Sequence, residues 1–483
     1  MNRINRAMMN AWTDLGPRFL PFADAATPDL PLSRLLRLSL FQVSVGMALV
    51  LLIGTLNRVM IVELDVPASL VAVVLSLPLL FAPFRALIGF RSDTHRSALG
   101  WKRVPFIWKG TMVQFGGLAI MPFALLVLAG QGNAQHAPAW IGQFGAAVAF
   151  LLVGAGLHTT QTVGLALATD LAPAEARPKV VGLMYVMLLV GMIASAFIFG
   201  ALLADFSPLR LVQVIQGSAV VTMILNPVAL WKQETRRPAR LYNEEQRPTT
   251  FRDAWNTFAG ASNAVRRLIA VGLGTMAFSM EDVLLEPYGG QVLHLSVGST
   301  TKLTATLAIG GLLGFGLAAR VLSRGFDPFR MASYGAMVGI PAFLLVILAA
   351  PYGQPAMFAI GTLLIGFGGG LFGHGTLTAT MNLAPESQTG LALGAWGAVQ
   401  ASAAGVAVAL GGILRDVVGG FATREAFGPE LANTATGYMF VYALEIVLMI
   451  ATIVAMVPLL HKQPAQGPTT AEDTYSETAW WAA

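Results

Sequence analysis

Long apolar runs, each broken from the next by a short polar stretch, fill most of this chain. Twelve can be drawn: 36–62, 68–90, 106–129, 139–170, 179–204, 210–232, 266–289, 302–322, 330–350, 355–384, 389–414 and 436–460. Each is long enough to cross a hydrocarbon core of about 30 Å as a helix. The pattern therefore predicts an all-α integral membrane protein. The sixth and seventh runs are separated by Lys232 to Val265, the longest polar stretch inside the chain. It holds Arg236, Arg237, Arg240, Arg247 and Arg252. Five regions follow: an arm over 1–35, a six-helix bundle over 36–232, a linker over 233–265, a second bundle over 266–460 and a flexible tail over 461–483.

The two bundles read as copies. Thr169-Asp170-Leu171-Ala172-Pro173-Ala174-Glu175 closes the fourth run, and Met381-Asn382-Leu383-Ala384-Pro385-Glu386 closes the tenth, 212 residues on. Gly89-Phe90-Arg91-Ser92-Asp93 ends the second run, where Gly316 to Arg324 ends the eighth. Parallel repeats of six spans are the build of the major facilitator type of transporter. That class carries a Gly-x-x-x-Asp-Arg-x-Gly-Arg-Arg type signature after the second span. Here Gly89, Asp93 and scattered basic residues such as Arg96 remain of it. Asp93 at a cytoplasmic helix end could meet the positive N-terminus of the eleventh helix or a nearby Arg, latching the halves together. The alternative is a solvated loop carboxylate.

Composition agrees with a bilayer as solvent. Hydrophobic residues make up 55% of the chain and charged residues 11%, where soluble domains carry about 25% charged. Gly is abundant, as where membrane helices approach closely, and the absence of Cys excludes disulfides and thiolate chemistry. The net charge of +5 matters through its placement. The N-terminal arm, the 2–3 loop (Arg91, Arg96, Lys102, Arg103), the 4–5 loop (Arg177, Lys179) and the 8–9 loop (Arg324, flanked by Arg320 and Arg330) are basic, whereas the 1–2, 3–4 and 9–10 loops have no Lys or Arg. Both termini and the linker are thus expected on the cytoplasmic side. Arg415 and Arg424, placed in the 11–12 loop, run against this trend, and the 10–11 loop has no basic residue. Residues 1–35 do not read as a signal peptide; Ile4, Met8, Met9, Trp12 and Leu15 suit either a surface-lying amphipathic helix or a tail.

Ionisable residues inside spans demand a reason, since each costs about 2.5–3.5 kcal/mol at the bilayer centre on insertion scales. Glu281, Asp282 and Glu286 occupy the seventh run, Asp282 and Glu286 sharing a helical face and Glu281 about 100° from Asp282. Asn57 and Arg58 lie near the end of the first run, its counterpart in the other half. Pairing of Arg58 with Asp282 or Glu286 would neutralise both, as a gate or ligand contact, or as an ion pair that fixes packing, and Glu63 of its own run is a third acid within its expected reach. Glu445 in the twelfth run has no evident partner. His158 in the fourth run and His374 in the tenth stand among glycines, Gly154 and Gly156 beside one and Gly370, Gly373 and Gly375 beside the other. Room beside a neutral imidazole suits axial ligation of a metal in a macrocycle, though a hydrogen bond to a neighbouring helix is the commoner use. Trp101, Trp108, Trp140 and Trp231 fall near span ends as interface anchors. No nucleophile–base pair, phosphate loop or metal-ligand cluster argues for an enzyme, and no nucleic-acid partner is expected.

The stretch from Arg85 to Pro105, RALIGFRSDTHRSALGWKRVP, is more specific than a transporter loop. It closely resembles the PucC/LhaA family of photosynthetic bacteria, also called the bacteriochlorophyll delivery family. Leu40 to Met47, Gly54 to Leu64 and Gln161 to Asp170 agree, and the likeness runs from about Gly16 to about Pro458. Gly16 to Ala25 looks most like the branch that serves the core antenna. The resemblance implies the facilitator fold in a light-harvesting assembly factor. Such a factor would bind bacteriochlorophyll, held or in transit, or deliver it to antenna polypeptides. Implied partners are those polypeptides, of the core antenna, with bacteriochlorophyll synthase and membrane lipids. The implied location is the bacterial inner membrane or the intracytoplasmic photosynthetic membrane. The competing reading is a proton-coupled secondary transporter of a tetrapyrrole or other small amphipathic molecule, for which the buried acids are suited.

Overall fold

A computed structural model describes residues 26–27, 30–80, 84–85, 88, 91–92, 100–128, 138–173, 176–235, 264–383 and 389–460. Twelve apolar helical segments stand among them. They are α1 (Leu32–Glu63), α2 (Ala68–Leu80), α3 (Val104–Leu128), α4 (Ala139–Leu171), α5 (Arg177–Leu202), α6 (Pro208–Leu230), α7 (Val265–Gln291), α8 (Val297–Leu322), α9 (Pro328–Tyr352), α10 (Pro355–Leu383), α11 (Thr389–Ala422) and α12 (Ala435–Met456). All but α2 are long and apolar enough to span a membrane, and Phe84, Arg85, Ile88, Arg91 and Ser92 beyond α2 are also helical. The chain is a multi-pass membrane protein, and no strand occurs among the described residues.

Local chemistry sets several helix starts. Ser207 accepts the Arg210 backbone N–H at 3.3 Å ahead of Pro208, and Asp327 accepts that of Arg330 at 2.7 Å ahead of Pro328. Side-chain caps of this kind satisfy N–H groups that a first helical turn leaves bare. Ser296 caps α8 in the same way, so that helix begins at Val297 rather than at 302. The polar residues Thr300 and Thr301 fit inside it; the Thr300 hydroxyl donates back to the Val297 carbonyl at 3.0 Å. α11 runs to Ala422 instead of stopping at 414, which moves Arg415 from the 11–12 loop into a helix. Arg415 still lies at the loop 11–12 end of the bundle, so it and Arg424 continue to run against the basic-loop pattern.

Within the halves, α3 packs on α4, and α10 on both α8 and α9. Between the halves, α2 packs along α11 and α5 along α8. The seams are tight where loops 1–2, 5–6, 7–8 and 11–12 lie. A Cβ on Gly412 would sit 2.6 Å from the Ala68 carbonyl, and one on Gly298 would sit 2.6 Å from the Gly200 carbonyl. At this end the Asp416 carboxylate of α11 accepts the Ser69 backbone N–H of α2 at 2.6 Å. Arg415 holds that carboxylate at 2.7 Å and lies 4.6 Å above the Tyr438 ring.

The expected latch of Gly89, Asp93 and Arg96 lies outside the described residues. So do residues 1–25 of the arm, 236–263 of the linker, the tail from 461 and the Ala384-Pro385-Glu386 end of the second repeat signature.

Candidate functional site

Two spans depart from regular helix, and they face each other. α1 is α-helical to Leu49, then π-helical over Val50–Leu56 and again over Val59–Glu63. α7 is helical to Ala277, passes through a tight turn at Glu281–Val283, and resumes as a helix over Leu285–Gln291. A broken span strands backbone groups that water cannot reach, so other elements must satisfy them. Asn57 does so from α1, its amide donating to the Val283 carbonyl at 2.9 Å. Glu445 does so from α12, one oxygen accepting the Glu281 backbone N–H at 2.8 Å. This is the partner that the sequence did not reveal for Glu445.

The break corrects the expected arrangement of the acids. Asp282 and Glu286 do not share one face of a continuous helix. Glu286 turns toward α1 and α8, where its carboxyl accepts the Thr304 hydroxyl and lies against Gly54. Asp282 instead lines an apolar cavity, and Glu281 is buried beside Glu445. Arg58 is only 4% exposed and pairs with neither Asp282 nor Glu286 through a hydrogen bond; its partner is Glu63. Five residues separate them, the spacing that a π-turn places on one face. The other guanidinium nitrogen donates to the Leu295 carbonyl at 3.2 Å, and the group rests over Gly290.

His158 is 6% exposed, and its Nδ1 has no hydrogen-bond partner among the described residues. It lines a cavity of about 30 Å³ with Asp282, Leu52, Leu75 and Val408, where α1, α2, α4, α7 and α11 meet. The glycines beside it are not open space: Pro78 of α2 fills the position of Gly154, and α3 at Gly110 and Gln114 fills that of Gly156. Small residues here serve close helix packing. His374 is elsewhere, its ring 4.2 Å from that of Phe315 on α8, and it is not among the residues lining the His158 cavity. Gly370 and Gly375 are packed against α8 and α9, while Gly373 has open space beside it.

Three polar clusters were not anticipated. Arg85 donates to Thr162 at 2.9 Å and to Gln161 at 3.0 Å. Arg103 pairs with Asp170 at 2.9 Å, and the Glu234 carboxylate accepts the backbone N–H groups of Lys102, Arg103 and Val104 at the start of α3. Asp170 belongs to the first repeat signature, which was a signal for it; Glu234 follows α6 and carried none. The third cluster is the Asp416–Ser69 cap across the seam.

Two six-helix halves meeting along α2–α11 and α5–α8, with a polar break at their interface, define a membrane protein of the major facilitator type. Solved transporters share the fold. A bacterial homolog to the human lysosomal transporter Spinster, in an inward-facing conformation, superposes with a TM-score of 0.62 at 16% identity, covering 90% of this chain and 98% of that one. The POT family transporter PepTSo gives 0.63 at 12% identity, covering 89% and 99%. Within that class the chain belongs to the PucC family: the family model described as PUCC protein matches residues 55–464. Protein PucC of Rhodovulum sulfidophilum is 64% identical over 420 residues, covering 86% of this chain and 92% of that protein. Protein PucC of Cereibacter sphaeroides is 59% identical over 447 residues, covering 92% and 96%. The bacteriochlorophyll synthase 44.5 kDa chain of Rhodobacter capsulatus is 28% identical over 444 residues, covering 90% and 97%. The segment Gly16 to Ala25, on which the core-antenna branch rests, precedes the family match, which bears on the family and not on the branch.

Proposed function

We propose that this chain is a light-harvesting assembly factor that binds bacteriochlorophyll or delivers it to antenna polypeptides, acting without catalysing a reaction itself. Kinship with proteins named PucC carries this reading. The donor chemistry at His158 fits a magnesium macrocycle: a buried imidazole nitrogen without a partner stands in an apolar cavity within the membrane. When bound, the pigment would supply a magnesium ion for which a neutral imidazole nitrogen is a suitable donor. His158 would hold it once the helices around its cavity part. His374, beside Phe315 and the open side of Gly373, is the second candidate. A cavity of about 30 Å³ takes no more than a water-sized group, so loading requires the seam to part. The partners in this reading are antenna polypeptides, those of the core antenna by the N-terminal resemblance, together with bacteriochlorophyll synthase and membrane lipids. The location is the inner or intracytoplasmic photosynthetic membrane, with both termini cytoplasmic.

Purification in mild detergent from a pigment-making host tests the reading: an absorption spectrum with bacteriochlorophyll bands is expected. A deletion strain should lose antenna complex while pigment synthesis continues. Accumulation of a biosynthetic intermediate in that strain would replace this reading with precursor transport, which the facilitator fold and the buried carboxyls favour as the second reading.

A further inference from the structure

Two carboxyl groups deep in the C-terminal half have no cation paired with them among the described residues. Glu281 is 2% exposed and Glu445 0%. One oxygen of Glu445 accepts the Glu281 backbone N–H at 2.8 Å, which brings the two residues together at the break in α7. The second oxygen of Glu445 and one of Glu281 have no hydrogen-bond partner among the described residues. The hydroxyl of Tyr442 is likewise without a partner; it is fully buried on α12, three residues before Glu445 and on the same face. These are three independent polar groups, from two elements, each more than nine-tenths buried.

The charged and titratable groups around the pair do not supply a counter-charge. Asp282 on the same turn and Tyr442 on α12 act on it directly, and Tyr288 of α7 and Tyr438 of α12 surround Tyr442. All of these are acids. Arg58 of α1 is engaged by Glu63 and the Leu295 carbonyl. Arg415 of α11 is engaged by Asp416, Gln291 and the Tyr438 ring. α9 presents Phe343 to Tyr442, and α11 touches the break through Gly411. Two buried carboxyls whose residues meet at the break, with no cation on them among the described residues, are costly to ionise together at this depth. A proton on either one removes a charge and turns an unpartnered acceptor oxygen into a donor.

We propose that Glu281 and Glu445 form a proton-binding site, with Tyr442 as its third member, and that its occupancy controls how α12 holds the break in α7. The break is gripped from both halves, by Glu445 from one and by Asn57 from the other. Loss of the proton leaves two negative charges at that grip and drives α12 and the broken turn apart. The adjacent Asp282 faces the His158 cavity, which places the site next to the seam. The site does not depend on what the protein carries, and its test reads neither pigment nor antenna.

The full chain in lipid nanodiscs is titrated while the infrared band of protonated carboxyl groups is followed. Wild type is expected to show a component that is lost as pH rises; the double variant Glu281→Gln/Glu445→Gln is expected to lack it. In the same titration, spin labels on cysteines placed at the exposed Ile269 of α7 and Val447 of α12 report the α7–α12 separation in a chain that has no other Cys. Their distance should shift with the carboxyl band in wild type and stay constant in the double variant. If that variant does not fold, Tyr442→Phe, which removes only a hydroxyl, should displace the wild-type midpoint. An unchanged band in the double variant, a distance shift that persists in it, or an unmoved midpoint in Tyr442→Phe overturns the proposal. So does a band that follows sodium concentration at constant pH, which would make the occupant a metal ion.

Discussion

Arg58 reads in sequence as a cation suited first to Asp282 or Glu286 of the other half and otherwise to Glu63, and the structure gives it Glu63 from its own helix. The difference is one of backbone form: residues five apart diverge on an α-helix and align on a π-turn, and nothing in the residue types announces that turn. Asn57 is the polar residue whose role is plainest. Replacing it by Ala leaves the Val283 carbonyl unpaired in a dry interface, which should cost about 1–3 kcal/mol and lower the melting temperature in detergent. His158 was legible as a residue type in an expensive place, but its glycine neighbours were misread as pigment room. They are occupied by Pro78 and α3, a fact of packing that one sequence cannot express. Under the assembly reading, His158→Phe and His374→Phe should each reduce co-purified pigment with protein yield near normal. Equal pigment content in the double variant would exclude both as ligands.

At the level of the element, helix starts were the most readable features. Ser207-Pro208, Ser296 and Asp327-Pro328 each place a cap ahead of an apolar run. The Glu234 carboxylate also caps a helix, but α3 lies more than a hundred residues earlier, so no local pattern shows it. The same holds for Asp416, which caps α2 across the seam. Asp416→Ala should remove that cap at a cost of about 1 kcal/mol. Cysteine pairs across α2 and α11 should then cross-link more slowly from the loop 1–2 side than in the wild-type background; an unchanged rate would reduce the contact to local capping. The break in α7 was foreshadowed by three acids in six residues, yet the apolar count around them still read as one span. Apolar length reports that a segment enters the bilayer and is silent on whether its backbone stays regular there.

For the whole molecule, the duplicated signatures and the spacing of apolar runs led to two six-helix halves, and the fold agrees. The expected cytoplasmic placement of both termini rests on loop charge, with Arg415 and Arg424 against the trend. A reporter fused after Lys462 should be active only on the cytoplasmic side; periplasmic activity would invert the topology. Hydrophobic period, span number, repeat and family lay within reach of the sequence because each is a local or self-similar property, set by how every segment meets lipid or water. Which polar groups meet was decided by tertiary structure alone. Glu445 finds the broken turn of α7, Glu286 finds Gly54 and Thr304, and Asp416 finds the first turn of α2, all through contacts between elements far apart in the chain. In a dry interior each stranded backbone or carboxyl group must be satisfied by whatever neighbour the packing brings, and only the assembled bundle defines that neighbour.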